Sequence, residues 1–220
     1  MAIKLLISGE SNSGKTSLTK DLKDTLVISY DGKKYPFPVP HVLVPQFDST
    51  AQLVATINDK IVAYKEKFKV YPKTIVIDTV SKIFDTLLDA CRTKHTGFKV
   101  YDALNAEITA FTAYLQNTLI ASDMNVIIIS HAIWDQDTAK YNLVGKGDFG
   151  KRGSFLSEVD EAIFIETKNG KRIIHFKATK FPARTLTDGV PDSTPAEEFN
   201  LQDHMKLLSA AADAADDFAL

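Results

Sequence analysis

Gly9-Glu10-Ser11-Asn12-Ser13-Gly14-Lys15-Thr16 gathers into one short run the groups needed to hold a chain of phosphates. The spacing G-x-x-x-x-G-K-[ST] lets the backbone curl at its two glycines so that successive main-chain amides face one centre. An ammonium group and a hydroxyl follow at once. Lys15 is placed to reach the β- and γ-phosphates of a nucleotide, and Thr16 to ligate magnesium. Gly9, Ser11, Asn12, Ser13, Gly14, Lys15, Thr16 and Ser17 are the expected nucleotide contacts, with ATP and Mg2+ as the expected cofactors.

A second chemical signal lies 63 residues beyond Lys15, where the apolar run Thr74-Ile75-Val76-Ile77 ends in Asp78 and Thr79. A carboxylate at the carboxyl end of a buried strand can accept hydrogen bonds from magnesium-bound water and from Thr16, so Asp78 is the second expected metal residue. Strand-terminal aspartates also serve as helix N-caps, and Asp78 stands just before an amphipathic stretch.

The elements that must position these groups alternate. Residues 3–8, 26–29, 74–77 and 125–129 are short, β-branched apolar runs of the kind buried on both faces of a parallel sheet. Helical stripes fall between them, over 15–22, 50–67, 80–92 and 101–121. Residues 161–167 and 172–178 bracket Lys168-Asn169-Gly170-Lys171, and Asn-Gly between apolar runs predicts an antiparallel hairpin. A full βα segment separates the phosphate-loop strand from the Asp78 strand, so the 125–129 strand has room to insert between them. Its end, Ser130-His131, would then lie beside the γ-phosphate, either as a sensor of hydrolysis or as an ordinary strand-end histidine.

Composition is that of a globular α/β chain, with 45 % hydrophobic and 25 % charged residues. No apolar stretch approaches the roughly 18 residues of a membrane span, and Met1-Ala2-Ile3-Lys4 leads into a strand rather than a signal peptide, so a cytoplasmic location is expected. The single cysteine, Cys91, falls on the apolar side of a predicted helix and is read as a buried small hydrophobe. The 26 basic and 28 acidic residues are unevenly spread. Residues 140–184 carry ten Lys or Arg against five Asp or Glu, whereas 185–220 carry one against eight. Such an asymmetry occurs in nucleic-acid-handling proteins, and equally in two solvated surfaces.

Residues 135–157 show no periodicity, and carry Lys140, Lys146, Lys151 and Arg152 around Tyr141 and Phe149. Cations for phosphates and aromatics for bases would suit a single strand of nucleic acid; a lid over the nucleotide is the competing reading.

Taken together, Gly9 to Thr16, Tyr30-Asp31-Gly32, Thr74 to Thr79, Ser130-His131 and the closing Phe176-Lys177-Ala178-Thr179-Lys180-Phe181-Pro182-Ala183-Arg184 resemble phage-encoded RecA/RadA-like P-loop ATPases, a family that includes single-strand annealing recombinases. The resemblance spans residues 1–187. It implies an α/β RecA-like P-loop NTPase fold, with a mostly parallel central sheet flanked by helices and an antiparallel hairpin on the C-terminal side. An ATPase core is therefore expected over 1–190, and the residues beyond it, 191–220, read as a C-terminal helix at 196–208 followed by an acidic tail. It also implies a carboxylate that polarises the attacking water, matched by Asp31 or by Asp78 acting through magnesium, with Lys15 and His131 completing the catalytic set. Lys177, Lys180 and Arg184 match the residues that reach a neighbouring subunit's γ-phosphate, so a homo-oligomer, filament or ring, is expected. They also fit an edge strand guarded by lysines. The loop at 135–157 lies where such proteins bind DNA, which makes single-stranded DNA the expected partner. The acidic, Phe218-containing end resembles the tails of single-strand-binding proteins, a second possible partner, and equally a solvated terminus. Two function classes therefore stand: a DNA-stimulated Mg-ATPase promoting annealing or recombination, and a P-loop ATPase or kinase acting on a protein or small molecule without DNA.

Overall fold

The computed structural model describes residues 1–216 apart from 31, 33, 36, 45, 152, 153 and 186, and the side chains of 151, 154, 215 and 216 are likewise left undescribed. The central strands β1 (Lys4–Gly9), β2 (Thr25–Ser29), β4 (Thr74–Asp78) and β5 (Asn125–Asp135) are parallel, as their unbroken apolar runs require. Among the described residues the sheet order is β3-β2-β4-β5-β1-β7-β8-β9, where β3 is His41–Leu43, β7 Glu161–Lys168, β8 Lys171–His175 and β9 Ser193–Pro195. β5 does insert between the phosphate-loop strand and the Asp78 strand, and β7–β8 is the antiparallel hairpin that Asn169-Gly170 announces.

Alternation along the strands divides the core between two faces. Leu6, Ile28, Ile75, Ile77, Val126 and Ile128 pack against α1 (Thr50–Phe68), α2 (Val80–Lys94) and α3 (Lys99–Tyr114). Leu5, Ile7, Val27, Val76, Ile127, Ile129, Ile163 and Ile165 pack on the opposite face, under Leu18 and under Leu201, Met205 and Leu208 of α5 (Leu201–Asp216). α1 begins where Ser49 accepts from the Gln52 amide at 3.4 Å and stops at left-handed Lys69, φ 63°. No described helix is long and apolar enough to cross a membrane.

Several elements differ from their sequence reading. After Lys15 there is only a 3-10 turn, Thr16–Asp21, in place of a helix over 15–22. α3 passes at Leu115 into a π turn, Leu115–Leu119, and then a 3-10 turn that Asp123 closes in the left-handed region. The last helix starts at Leu201 rather than 196, because residues 193–195 pair with β8 and the Asn200 side chain caps by accepting from the Asp203 amide at 3.0 Å. It then runs on through 209–216, whose alanines favour helix. β9 and α5 are thus built into the sheet and its second core, and the buried pair His204 Nε2 and Glu161 Oε1, 3.2 Å apart, ties α5 to β7.

The described residues of 135–157 form regular elements. β5 continues to Asp135 and turns back as β6 (Lys140–Leu143), followed by the short helix α4 (Gly147–Lys151) and a 3-10 turn at Ser154–Ser157. Ser130-His131 therefore lies inside a strand, not at its end. In register, Gly9 pairs with His131 on one side and Ile165 on the other, so β5 and β7 both outrun β1. The phosphate loop leaves the sheet between two overhanging hairpins.

Candidate functional site

The loop from Gly9 to Thr16 is held by close backbone approach. A Cβ on Gly9 would stand 2.6 Å from the Ile165 carbonyl oxygen, and one on Gly14, φ 92°, would stand 2.6 Å from Arg172 Nη1. Asn12 takes the left-handed conformation at φ 62°, one of the few residue types that does so readily. Lys15 is 5 % exposed, and its Nζ donates to the Gly9 carbonyl at 3.0 Å and the Glu10 carbonyl at 2.6 Å, which fixes the ammonium against the mouth of the loop.

Asp78 closes β4 next to this loop. Its Oδ2 accepts from Thr16 Oγ1 and from Tyr35 Oη, each at 2.9 Å. The expected pairing of Thr16 with Asp78 is present, and Tyr35, which the sequence reading missed, is its third member. These groups line a cavity of about 290 Å³ together with Ser11, Asn12, Gly14, Ser17, Lys34, Thr79, His131 and Arg172. His131 shares this cavity and its main-chain amide donates to Ser81 Oγ at 3.1 Å.

The residues present fit a magnesium nucleotide. Ser13 Oγ and Thr79 Oγ1 are buried beside the loop and beside Asp78, and neither has a hydrogen-bond partner among the described residues. Among the described residues no trio of His, Cys, Asp or Glu forms a self-contained metal cage. One carboxylate and one hydroxyl suit Mg2+, which takes its remaining oxygens from phosphates and water. The ion, held at Thr16 and Asp78, would supply charge neutralisation between phosphates. The chain's own part would be electrostatic: main-chain amides, Lys15 and Arg172 border the cavity where phosphate charge would accumulate. With only a 3-10 turn behind it, the loop draws little from a helix dipole, and the amides and side-chain cations carry the attraction.

Other expected residues fall elsewhere. Asp31 and Arg152 lie outside the described residues, as do the side chain of Lys151 and the tail beyond 216. Phe149 is a packing residue rather than an open platform for bases: its ring meets Phe84 edge-on at 5.6 Å and Phe155 at 5.0 Å. Lys146 Nζ pairs with Asp85 at 3.1 Å. Tyr141 stacks on Phe181 at 5.8 Å, leans on Phe164 at 4.8 Å, and takes the edge of Trp134 at 5.0 Å. Burial first, then the charges of Glu10 and Glu166, raise its phenol above the ordinary value. Lys140 is exposed near the hairpin turn, where it pairs in register with Asp135. Of the cations expected to act on a neighbour, Lys177 pairs with Asp192 at 2.5 Å and Lys180 with Glu166 at 3.3 Å. Arg184 is turned inward, and its Nη2 donates to the Val159 carbonyl at 2.9 Å, so it ties the chain rather than reaching outward.

Glu166 also accepts from His175 Nε2 at 3.0 Å. Burial is the strongest single influence on Glu166 and pushes it up, yet the hydrogen bonds and charges of His175 and Lys180 together outweigh it and leave the carboxyl below its ordinary range. Burial likewise depresses His175, more than Glu166 restores, and the ring stacks on Phe181 at 3.9 Å.

No curated protein matches the chain. A family model described as an AAA domain matches residues 1–185, a span that holds the phosphate loop, Asp78, His131 and both hairpins. The chain belongs to this AAA-domain family of P-loop ATPases.

Proposed function

We propose that the protein is a Mg2+-dependent ATPase of the RecA/RadA-like recombinase type, which binds single-stranded DNA along its β5–β6 hairpin and promotes annealing or strand exchange. The observation that carries this reading is the position of that hairpin. It overhangs the phosphate loop, and it presents Ile133 at 61 % and Trp134 at 43 % exposure close to Lys140. An exposed tryptophan beside cations is a sequence-tolerant platform for bases. Tyr141 on the return strand packs against Trp134 and lies within the electrostatic reach of Glu10 in the phosphate loop. A strand gripped on the hairpin therefore has a direct physical route to the nucleotide. In a ring or filament of such subunits, Lys177 and Lys180 are the outward cations that remain for a neighbour's phosphates, and each would first leave the carboxylate it now pairs with. A phage origin, a cytoplasmic location and capture of a single-strand-binding protein by the acidic end belong to the same reading.

The test is ATP turnover with and without single-stranded DNA. Turnover is expected to rise with DNA, to vanish in Lys15→Ala, and to lose its DNA response in Trp134→Ala. An unchanged rate with DNA, together with no DNA binding at low salt, removes the recombinase reading and leaves an ATPase acting on a protein or small molecule.

A further inference from the structure

The 290 Å³ cavity around Lys15 and Asp78 has room for phosphates and little more, and it shares Gly14, Ser17 and Arg172 as walls with a second cavity of about 570 Å³. The far walls of the larger space are Ile165, Lys171, Phe199 and the polar run Glu197, Glu198 and Asn200. These come from the β7–β8 hairpin and from the chain between β9 and α5, a segment that lies beyond the family-matched residues. Phe199 is half-buried, its ring 5.7 Å from Phe176 and 5.3 Å from His204, so its position is set by packing.

Arg172 stands at the join of the two cavities. Nη1 lies against Gly14 so closely that any Cβ there would strike it, and the guanidinium makes no hydrogen bond or ion pair with a described residue. A planar, permanently charged donor of this kind, left without a carboxylate and laid over the phosphate loop, matches bidentate phosphate recognition.

We propose that the larger cavity is the nucleoside compartment of the site, that it takes the base and ribose of a purine nucleoside triphosphate, and that Arg172 is the residue that binds the α- and β-phosphates at the threshold. The assignment rests on the ATPase reading above and adds its specificity half. A triphosphate whose terminal phosphate faces Asp78 and Thr16 leads its other end past Gly14 and Ser17, directly into this space. There Phe199 offers an aromatic surface to the base, and the carboxylates of Glu197 and Glu198 offer acceptors for its amino group.

Calorimetric titration with two probes, Mg-ATP and magnesium tripolyphosphate, separates the two halves. Wild type is expected to bind ATP at least tenfold more tightly than tripolyphosphate. Phe199→Leu, which keeps apolar packing but removes the ring, is expected to weaken ATP at least fivefold and to leave tripolyphosphate within twofold. Arg172→Gln, at an exposed position, is expected to weaken both probes about tenfold. Lys15→Ala is the control for the phosphate half: if it leaves both probes unaffected, the phosphate-loop reading itself fails. If Lys15→Ala abolishes binding but ATP is held no better than tripolyphosphate, or Phe199→Leu weakens both probes equally, the nucleoside assignment is overturned while the phosphate site stands.

Discussion

The phosphate loop and the stretch at residues 144–151 look alike on paper, since each mixes glycines with basic residues, yet they fold to opposite ends. In the first, Gly9 and Gly14 let the backbone press against Ile165 and Arg172, and polar groups converge on one cavity. In the second, a Cβ on Gly147 would meet Asn105 Oδ1 at 2.4 Å and one on Gly150 the backbone of Gly145 at 3.0 Å, so the glycines admit a tight crossing, and Phe149 is drawn toward the core. Glycine licenses close approach in both places. What approaches decides whether a site or a joint results.

The sharpest way to break this contrast is at Asp78 and Lys15. Asp78→Asn or Lys15→Ala is expected to cut ATP turnover by about 100-fold or more, roughly 3 kcal/mol of transition-state stabilisation, while leaving the nucleotide-free denaturation midpoint nearly unchanged. Phosphate-release assays beside urea titration measure both. Phe149→Ala should do the reverse, costing about 2–3 kcal/mol of stability through a partly relaxed cavity beside Phe84 and Phe155 and leaving basal turnover in place. Should Phe149→Ala instead spare stability and weaken DNA binding, the segment is a recognition loop and the contrast fails.

A smaller effect tests how Asp78 is held. Tyr35→Phe deletes one of its two 2.9 Å donors without changing shape, and about 1.5 kcal/mol, roughly a tenfold drop in turnover, is expected. The smallest effect belongs to the aromatic cluster shared by the two hairpins. His175 is depressed below its ordinary 6.5 and Glu166 below its ordinary 4.5, so in each case the unfolded chain takes up protons first. Stability is complete above those values. It should decline as pH falls below about 6.5, and again below about 4.5. Urea midpoints at pH 8, 7, 6 and 5 would show the first step, and His175→Gln should abolish it.

Much of this was legible in the residues because the signals were local. The phosphate loop, the Asp78 strand and the Asn169-Gly170 hairpin each announce themselves within a few positions, and counting βα segments left room for the insertion of β5 that the sheet shows. The β5–β6 hairpin was hidden for a physical reason: its turn places Ala139, φ 51°, where glycine or asparagine would normally mark a reversal. Arg172, Tyr35 and Lys34 were missed because nothing in their own neighbourhoods signals a ligand. Arg172 reaches the site through a strand overhang, and Tyr35 through a loop that returns across 43 positions to Asp78. The one clue available was that an Asn-Gly hairpin beside the loop strand must lean over it. The cap at Asn200 was a similar loss, since nothing local signals that residues 193–195 pair with β8 and delay the last helix past 196.

Cys91 gives the protein a built-in clock. It sits at 5 % exposure on the inner side of α2, and burial first, then the charge of Glu107, raises its thiol above the ordinary range. Both effects suppress the thiolate that alkylating and disulfide reagents attack. Labelling therefore has to wait for α2 to lift from the sheet, and the modification rate of a single sulfur atom reports how often that happens. Because α2 begins directly after Asp78 and Thr79, the same rate, read with and without nucleotide, would time how tightly a filled pocket clamps the helix behind it.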